Sequence, residues 1–219
     1  MKAFWIYAAA ALTACGTATR SAPTAAPAPE PLRVVHGHAA GIAKARVDSA
    51  RLPYTAADVH FMSGMIGHHA QAIVMAKWVP THGASPAIHR LAERIVNAQE
   101  DEIVLMQQWL ADRLKPVPEP DPAGMKMTMD GVEHVHLMPG MLSAGQMKQL
   151  DQARGAEFDR LFLVFMIQHH RGAVDMVKEL FGTTGAGQDQ VVFKFASDVN
   201  VDQTTEIERM EKMLEALIP

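Results

Sequence analysis

Cysteine is almost missing from this chain: Cys15 is the single one in 219 residues, which excludes a disulfide framework within one molecule. A strong charge of one sign is missing as well. With a net charge of −4 at pH 7, nothing suggests binding to a phosphate backbone, and no nucleic-acid partner is expected. No apolar run is long enough to cross a bilayer as a helix. Neither Gly-x-Ser-x-Gly nor a phosphate loop occurs. No Cys/His spacing fits a closed tetrahedral zinc site. Period-2 alternation nowhere competes with helical periodicity, so a sheet is not expected.

What the chain does have is a repeat. Phe61-Met-Ser-Gly-Met-Ile-Gly-His-His-Ala-Gln-Ala-Ile-Val-Met75 returns as Phe162-Leu-Val-Phe-Met-Ile-Gln-His-His-Arg-Gly-Ala-Val-Asp-Met176. The offset from His68 to His169 is 101 positions, and Met65, His69, Ala72 and Met75 recur in register as Met166, His170, Ala173 and Met176. Offsets of three, four and seven share one helix face, and the two histidines of each pair straddle its midline. Farther along, Gln99, Glu102, Ile103 and Met106 match Gln203, Glu206, Ile207 and Met210 at an offset of 104, so the second loop is three residues longer.

Each repeat therefore reads as two long helices joined by a short turn. Two such hairpins burying their apolar stripes together make an all-α, antiparallel four-helix bundle. The first helix should start at Thr55, with Thr55-Ala-Ala-Asp58 as a capping box, and run to about Val79. The second follows Ser85-Pro86 and ends near Leu114. The third should start at Ser143 with a capping box to Gln146, bend at Gly155 and end near Phe181; the fourth covers Gln188 to Leu217.

The doubled histidine blocks resemble the bacterial family catalogued as domain of unknown function 305, over roughly Tyr54 to Leu217. That resemblance implies a ferritin-like bundle and, for some members, a role in periplasmic copper binding and tolerance.

Ahead of the bundle, Lys2, the apolar run from Phe4 to Leu12 and Leu12-Thr13-Ala14-Cys15 have the layout of a signal peptide and resemble a lipobox. By that resemblance residues 1–15 form the leader, with Cys15 lipidated as the first mature residue. An ordinary cleaved leader with a chance cysteine is the alternative; both export the protein to the periplasmic or cell-surface side. Residues 16–53 are an Ala/Pro-rich tether and lead-in, and a lipid would be the only membrane attachment. The bundle then occupies 54–217, with a Met/His-rich crossover at 115–142. Self-association into a homo-oligomer stays open.

The candidate ligands fall into two sets. On the helices are Met65, His68, His69, Met75, Met166, His169, His170 and Met176, with Gln99, Glu102, Gln203 and Glu206 as polar residues supporting them. In the crossover are Met125, Met127, Met129, His134, His136, Met138 and Met141, read as thioethers and imidazoles not arranged for burial. Soft thioethers with imidazoles in an exported protein point to copper ions as the cofactor, Cu(I) favoured by sulfur and Cu(II) also held by imidazole. The competing reading is a buried polar network in which the same Gln and Glu side chains satisfy the histidines. A ferritin-like redox enzyme is disfavoured, because two recurring carboxylates are too few for a carboxylate-bridged metal pair. No catalytic residues are assigned, and the chain is not expected to be an enzyme.

Overall fold

Thr55 and Asp58 set the first boundary. In the computed structural model, which describes residues 53–129 and 132–217, the Thr55 hydroxyl accepts from the Asp58 amide while the Asp58 carboxylate accepts from the Thr55 amide at 2.6 Å. This capping box starts α1 (Ala56–Trp78). After a short 3₁₀ turn at Val79–Thr81, α2 covers Pro86–Asp112. Proline takes its first position, where an amide hydrogen would be unsatisfied in any case. Ser85 provides no side-chain cap there; its backbone amide is held by Asp159, at 3.1 and 3.2 Å from the two carboxylate oxygens.

The second repeat mirrors the first. After α3 (Ala144–Gln152), α4 spans Gly155–Gly182 and α5 spans Gln190–Glu215. The Ser143–Gln146 capping box is present, but the helix beyond it does not merely bend at Gly155. Gly155 has φ +58°, a left-handed backbone that breaks the helix, and its amide donates to His82 O at 2.9 Å. Asp58 and Asp159, 101 positions apart like the histidines, play matching roles: Asp58 accepts from the Gly187 amide in the α4–α5 turn at 2.7 Å. Each repeat thus ties down the turn of the other.

Helix α1 pairs with α2, α4 pairs with α5, and α1 and α4 pack against each other at the centre. The bundle is as expected, except in its crossover. Residues Met125–Met129 and Val132–His136 form an antiparallel ribbon, β1 and β2, with Met125 opposite His136 and Met127 opposite His134. Met-Lys-Met-Thr-Met alternates with period 2, whereas in Val-Glu-His-Val-His the two valines fall on opposite faces of the strand. The ribbon is not legible in the sequence because one five-residue alternation is too short to stand out and its partner strand has none.

The crossover is also not merely exposed. Met138 and Met141 are buried and Met125 packs against the core, while His134 and His136 are exposed. Gln71 of α1 binds this segment from below, donating to Pro122 O and Leu142 O and accepting from the Leu142 amide. On the α4 side, Gln168 donates to Gly140 O at 3.2 Å. Close approach is possible because residue 172 has no side chain: a Cβ there would lie 2.0 Å from Pro139 O and 2.5 Å from Gly140 Cα.

A Gly→Ala change inside an ordinary helix stabilises by about 0.5–1 kcal/mol. Gly172→Ala is expected to do the opposite, costing roughly 1–3 kcal/mol by overpacking as Pro139–Gly140 is forced out of the groove. Urea unfolding measures the change. A midpoint equal to or above that of the parent would show that the crossover is not seated on α4.

Candidate functional site

The core is not uniformly apolar. One cluster gathers Met65 of α1 and Met176 of α4 with Phe61, Met106, Trp109 and Met138. A second gathers Met75 of α1 and Met166 of α4 with Leu91, Ile95, Phe158 and Phe162. Between these two in sequence on both central helices sit His68, His69, His169 and His170, all four with no exposed surface. The sequence places these imidazoles on the inward stripe, and the antiparallel packing of α1 on α4 brings the pairs together. The rings of His68 and His169 lie 3.8 Å apart between centroids.

Every Nε2 in this layer has an acceptor. His68 donates to Pro139 O at 3.0 Å and His169 to the carbonyl of His68 at 2.9 Å. His69 meets Glu102 at 2.7 Å and His170 meets Glu206 at 2.8 Å. Carbonyl and carboxylate oxygens only accept, so Nε2 carries the hydrogen in each ring. In a neutral ring the lone pair then sits on Nδ1, and all four Nδ1 atoms are buried without a hydrogen-bond partner.

The charge state agrees. Burial, the neighbouring His69 and, to a smaller extent, His170 push the His68 imidazole down to about 3, against the opposing pull of its bond to Pro139. Burial, followed by His68, His170 and His69, holds His169 well below the ordinary imidazole range. Both are neutral at physiological pH.

Glu102 and Glu206 occupy the supporting positions read from the sequence, but Gln99 and Gln203 do not. These amides make no bond to the histidines; each keeps a buried side-chain oxygen without a partner. The carboxylates that bond the rings are those of Glu102 and Glu206, three residues farther along α2 and α5. With Asp202, all four side chains line a cleft of about 220 Å³ between α2 and α5. Burial, then the nearby Glu102, raises the Asp202 carboxyl, which marks the cleft as acidic.

Among the described residues no three His, Cys, Asp or Glu side chains converge on one ion position. A metal in this layer would therefore need the flanking thioethers, and Met65 and Met166 are fully buried one helical turn from the histidine pairs. Of the crossover candidates, Met138 joins the core of the first cluster, while Met127 and Met129 are placed only by their backbone register. Cys15, the leader and the tether lie outside the described residues. No helix among the described residues is long and apolar enough to cross a membrane.

A family model described as domain of unknown function (DUF305) matches residues 58–214. The chain belongs to the DUF305 family. Solved structures of this family share its fold. A DUF305 protein from Streptomyces coelicolor aligns with TM-score 0.61 and 28% identity over 74% of this chain and 93% of that one. A DUF305 fragment from Deinococcus radiodurans aligns with TM-score 0.61 and 27% identity, covering 75% of this chain and 99% of that one. CopM in its Cu(I)-bound form aligns with TM-score 0.56 and 27% identity over 74% of this chain and 98% of its own. CopM has also been solved in Cu(II)-bound, Ag-bound and apo forms. Among curated proteins, Uncharacterized protein L153 of Acanthamoeba polyphaga mimivirus is 39% identical over 56 residues, 26% of this chain and 37% of that protein's length. The chain thus spans little more than a third of that relative.

Proposed function

We propose that this DUF305 protein is an exported, lipid-anchored copper-binding protein that sequesters the metal, or confers tolerance to it, on the periplasmic side. The observation that carries the reading is the set of four buried Nδ1 atoms without partners. A structural polar network would satisfy both nitrogens of each ring, because an unpartnered buried polar atom costs roughly 1–3 kcal/mol. Here the outward nitrogens are fixed and the other four are left over. A carboxylate or carbonyl on Nε2 with a free lone pair on Nδ1 is how a ligating histidine is oriented and made more basic.

The residues present fit copper. Imidazole nitrogen with thioether sulfur suits Cu(I), and imidazole suits Cu(II). Met65 and Met166 are the nearest thioethers in sequence, and the ribbon adds Met125 opposite His136 and Met127 opposite His134 as a second ligand-bearing element. The resemblance to CopM, solved with Cu(I) and Cu(II), supports the same metal here. The reading is of a binding protein, not an enzyme. Export and the anchor at Cys15 rest on the leader and lipobox alone.

Replacing His69 and His170 together by alanine is expected to weaken copper binding by at least about tenfold, the usual scale for disturbing a ligating imidazole and its support. Competition against a chromophoric Cu(I) chelator, with metal analysis of the purified protein, measures this. Unchanged affinity and stoichiometry would overturn the assignment.

A further inference from the structure

We propose that His60, Met138 and Met176 form a separate entry site for a soft monovalent metal ion, two helical turns above the histidine layer. The inference rests on the copper-binding reading and adds to it a ligand, His60, that lies outside the repeated motif.

The site begins with the antiparallel register of α1 and α4. His68 stacks on His169. Eight residues back along α1 lies His60, and seven residues on along α4 lies Met176, so both sit about two turns, roughly 11 Å, from the stacked rings. They therefore reach the same level of the groove. Halfway between, Gly64 and Gly172 leave the notch into which the crossover descends. The side chain of Met138 fills it on the α1 side, its Cε 2.6 Å from where a Gly64 Cβ would stand, and Pro139–Gly140 fills it on the α4 side.

The three ligand-bearing side chains line one cavity of about 40 Å³, together with Phe61, Glu179 and Leu180. That volume suits an ion or a few waters and excludes an organic ligand. Its chemistry is divided. Met138 and Met176 are 5% and 3% exposed as whole residues, whereas His60 and Glu179 are exposed. An ion arriving from solvent thus meets an imidazole and a carboxylate first and two sulfurs behind them. Two thioethers and one imidazole select a soft monovalent ion over hard divalent cations, which prefer oxygen. Thioethers need no deprotonation before they bind a soft ion.

The site also connects to the layer below. Met138 is followed directly by Pro139, whose carbonyl fixes the His68 ring at 3.0 Å. Movement of Met138 toward a bound ion is therefore transmitted to the imidazole that presents the next unpartnered nitrogen.

The test uses the full chain with its methionine methyl groups carbon-13 labelled, titrated with Ag(I) as a redox-silent probe and then with Cu(I) against a chelator. The Met138 and Met176 methyl resonances are expected to shift with the first equivalents. Met138→Leu with Met176→Leu, which keeps apolar bulk, and the exposed His60→Ala are each expected to lower Cu(I) affinity at this step by about tenfold or more. His60→Ala removes no core contact, so its effect cannot be assigned to misfolding. If the parent protein takes up metal while the two methyls stay still or His60→Ala binds equally well, the entry site is overturned and the histidine layer stands. If the parent protein takes up neither Ag(I) nor Cu(I), the copper-binding reading falls and the entry site with it.

Discussion

Asp189→Ala is expected to lower the unfolding free energy by about 3–5 kcal/mol, the scale set by stranding a buried charge. Asp189 and Arg113 form an ion pair at 2.5 Å with side chains 0% and 1% exposed. Asp189 also accepts from Trp109 Nε1 at 3.1 Å and from the amides of Val191 and Val192, and so caps α5. Burial alone would raise this carboxyl. The hydrogen bonds from Trp109, Val192 and Arg113 outweigh it and hold the group below the ordinary carboxylate range. Arg113 in turn lies 4.2 Å over the Trp109 ring and has one guanidinium nitrogen, Nε, that is already unpartnered. Removing Asp189 leaves that cation in the interior with only the Trp109 carbonyl and aromatic faces. Asp189→Asn separates the two contributions: it keeps an acceptor for Trp109 and the helix cap but loses the charge. Urea unfolding of both variants checks the argument. A loss below about 1 kcal/mol for Asp189→Ala would place the pair in the weak class of surface ion pairs.

That pair was invisible in the sequence, and the reason is instructive. Arg113 and Asp189 lie in different repeats and at a helix end and a turn, where periodicity carries no information. The bundle itself was legible because the duplicated Met/His blocks report the same helical face twice. The capping boxes at Thr55 and Ser143 were legible for a related reason: each is complete within four residues. Burial of all four histidines followed from the stripe they share, but their partners did not. Glu102 and Gln99 share one face of α2, three residues apart, so periodicity alone does not tell which of them bonds His69. His60 escaped notice because it has no counterpart in the second repeat, where Leu161 stands 101 positions later. The ribbon in the crossover was not legible because Val132 and Val135 fall on opposite faces of β2, so the strand carries no apolar–polar alternation.

Acidification should unfold the protein from an unusually high pH. The direction follows from where protons bind. Unfolded histidine titrates near 6.5, while folded His68 does so at about 3 and folded His169 well below 6.5. Between those values the unfolded chain holds more protons than the folded one, so stability rises with pH through this window and is fully present above about 6.5. Each imidazole contributes a slope of about 1.4 kcal/mol per pH unit within the window. Integrated from 6.5 down to about 3, His68 alone removes on the order of 5 kcal/mol, a large share of the ~5–15 kcal/mol that holds an ordinary domain together. Depressed carboxylates such as Asp189 also lose stability in acid, but that loss begins only near the ordinary carboxylate range of about 4. The interval from about 6.5 to about 4.5 therefore reports on the buried histidines. Urea midpoints measured across it in metal-free protein should fall steadily, and replacing His68 and His169 by phenylalanine should flatten the fall. A parent protein whose midpoint stays level through that interval would show that the histidine layer admits water or protons freely, contrary to its burial.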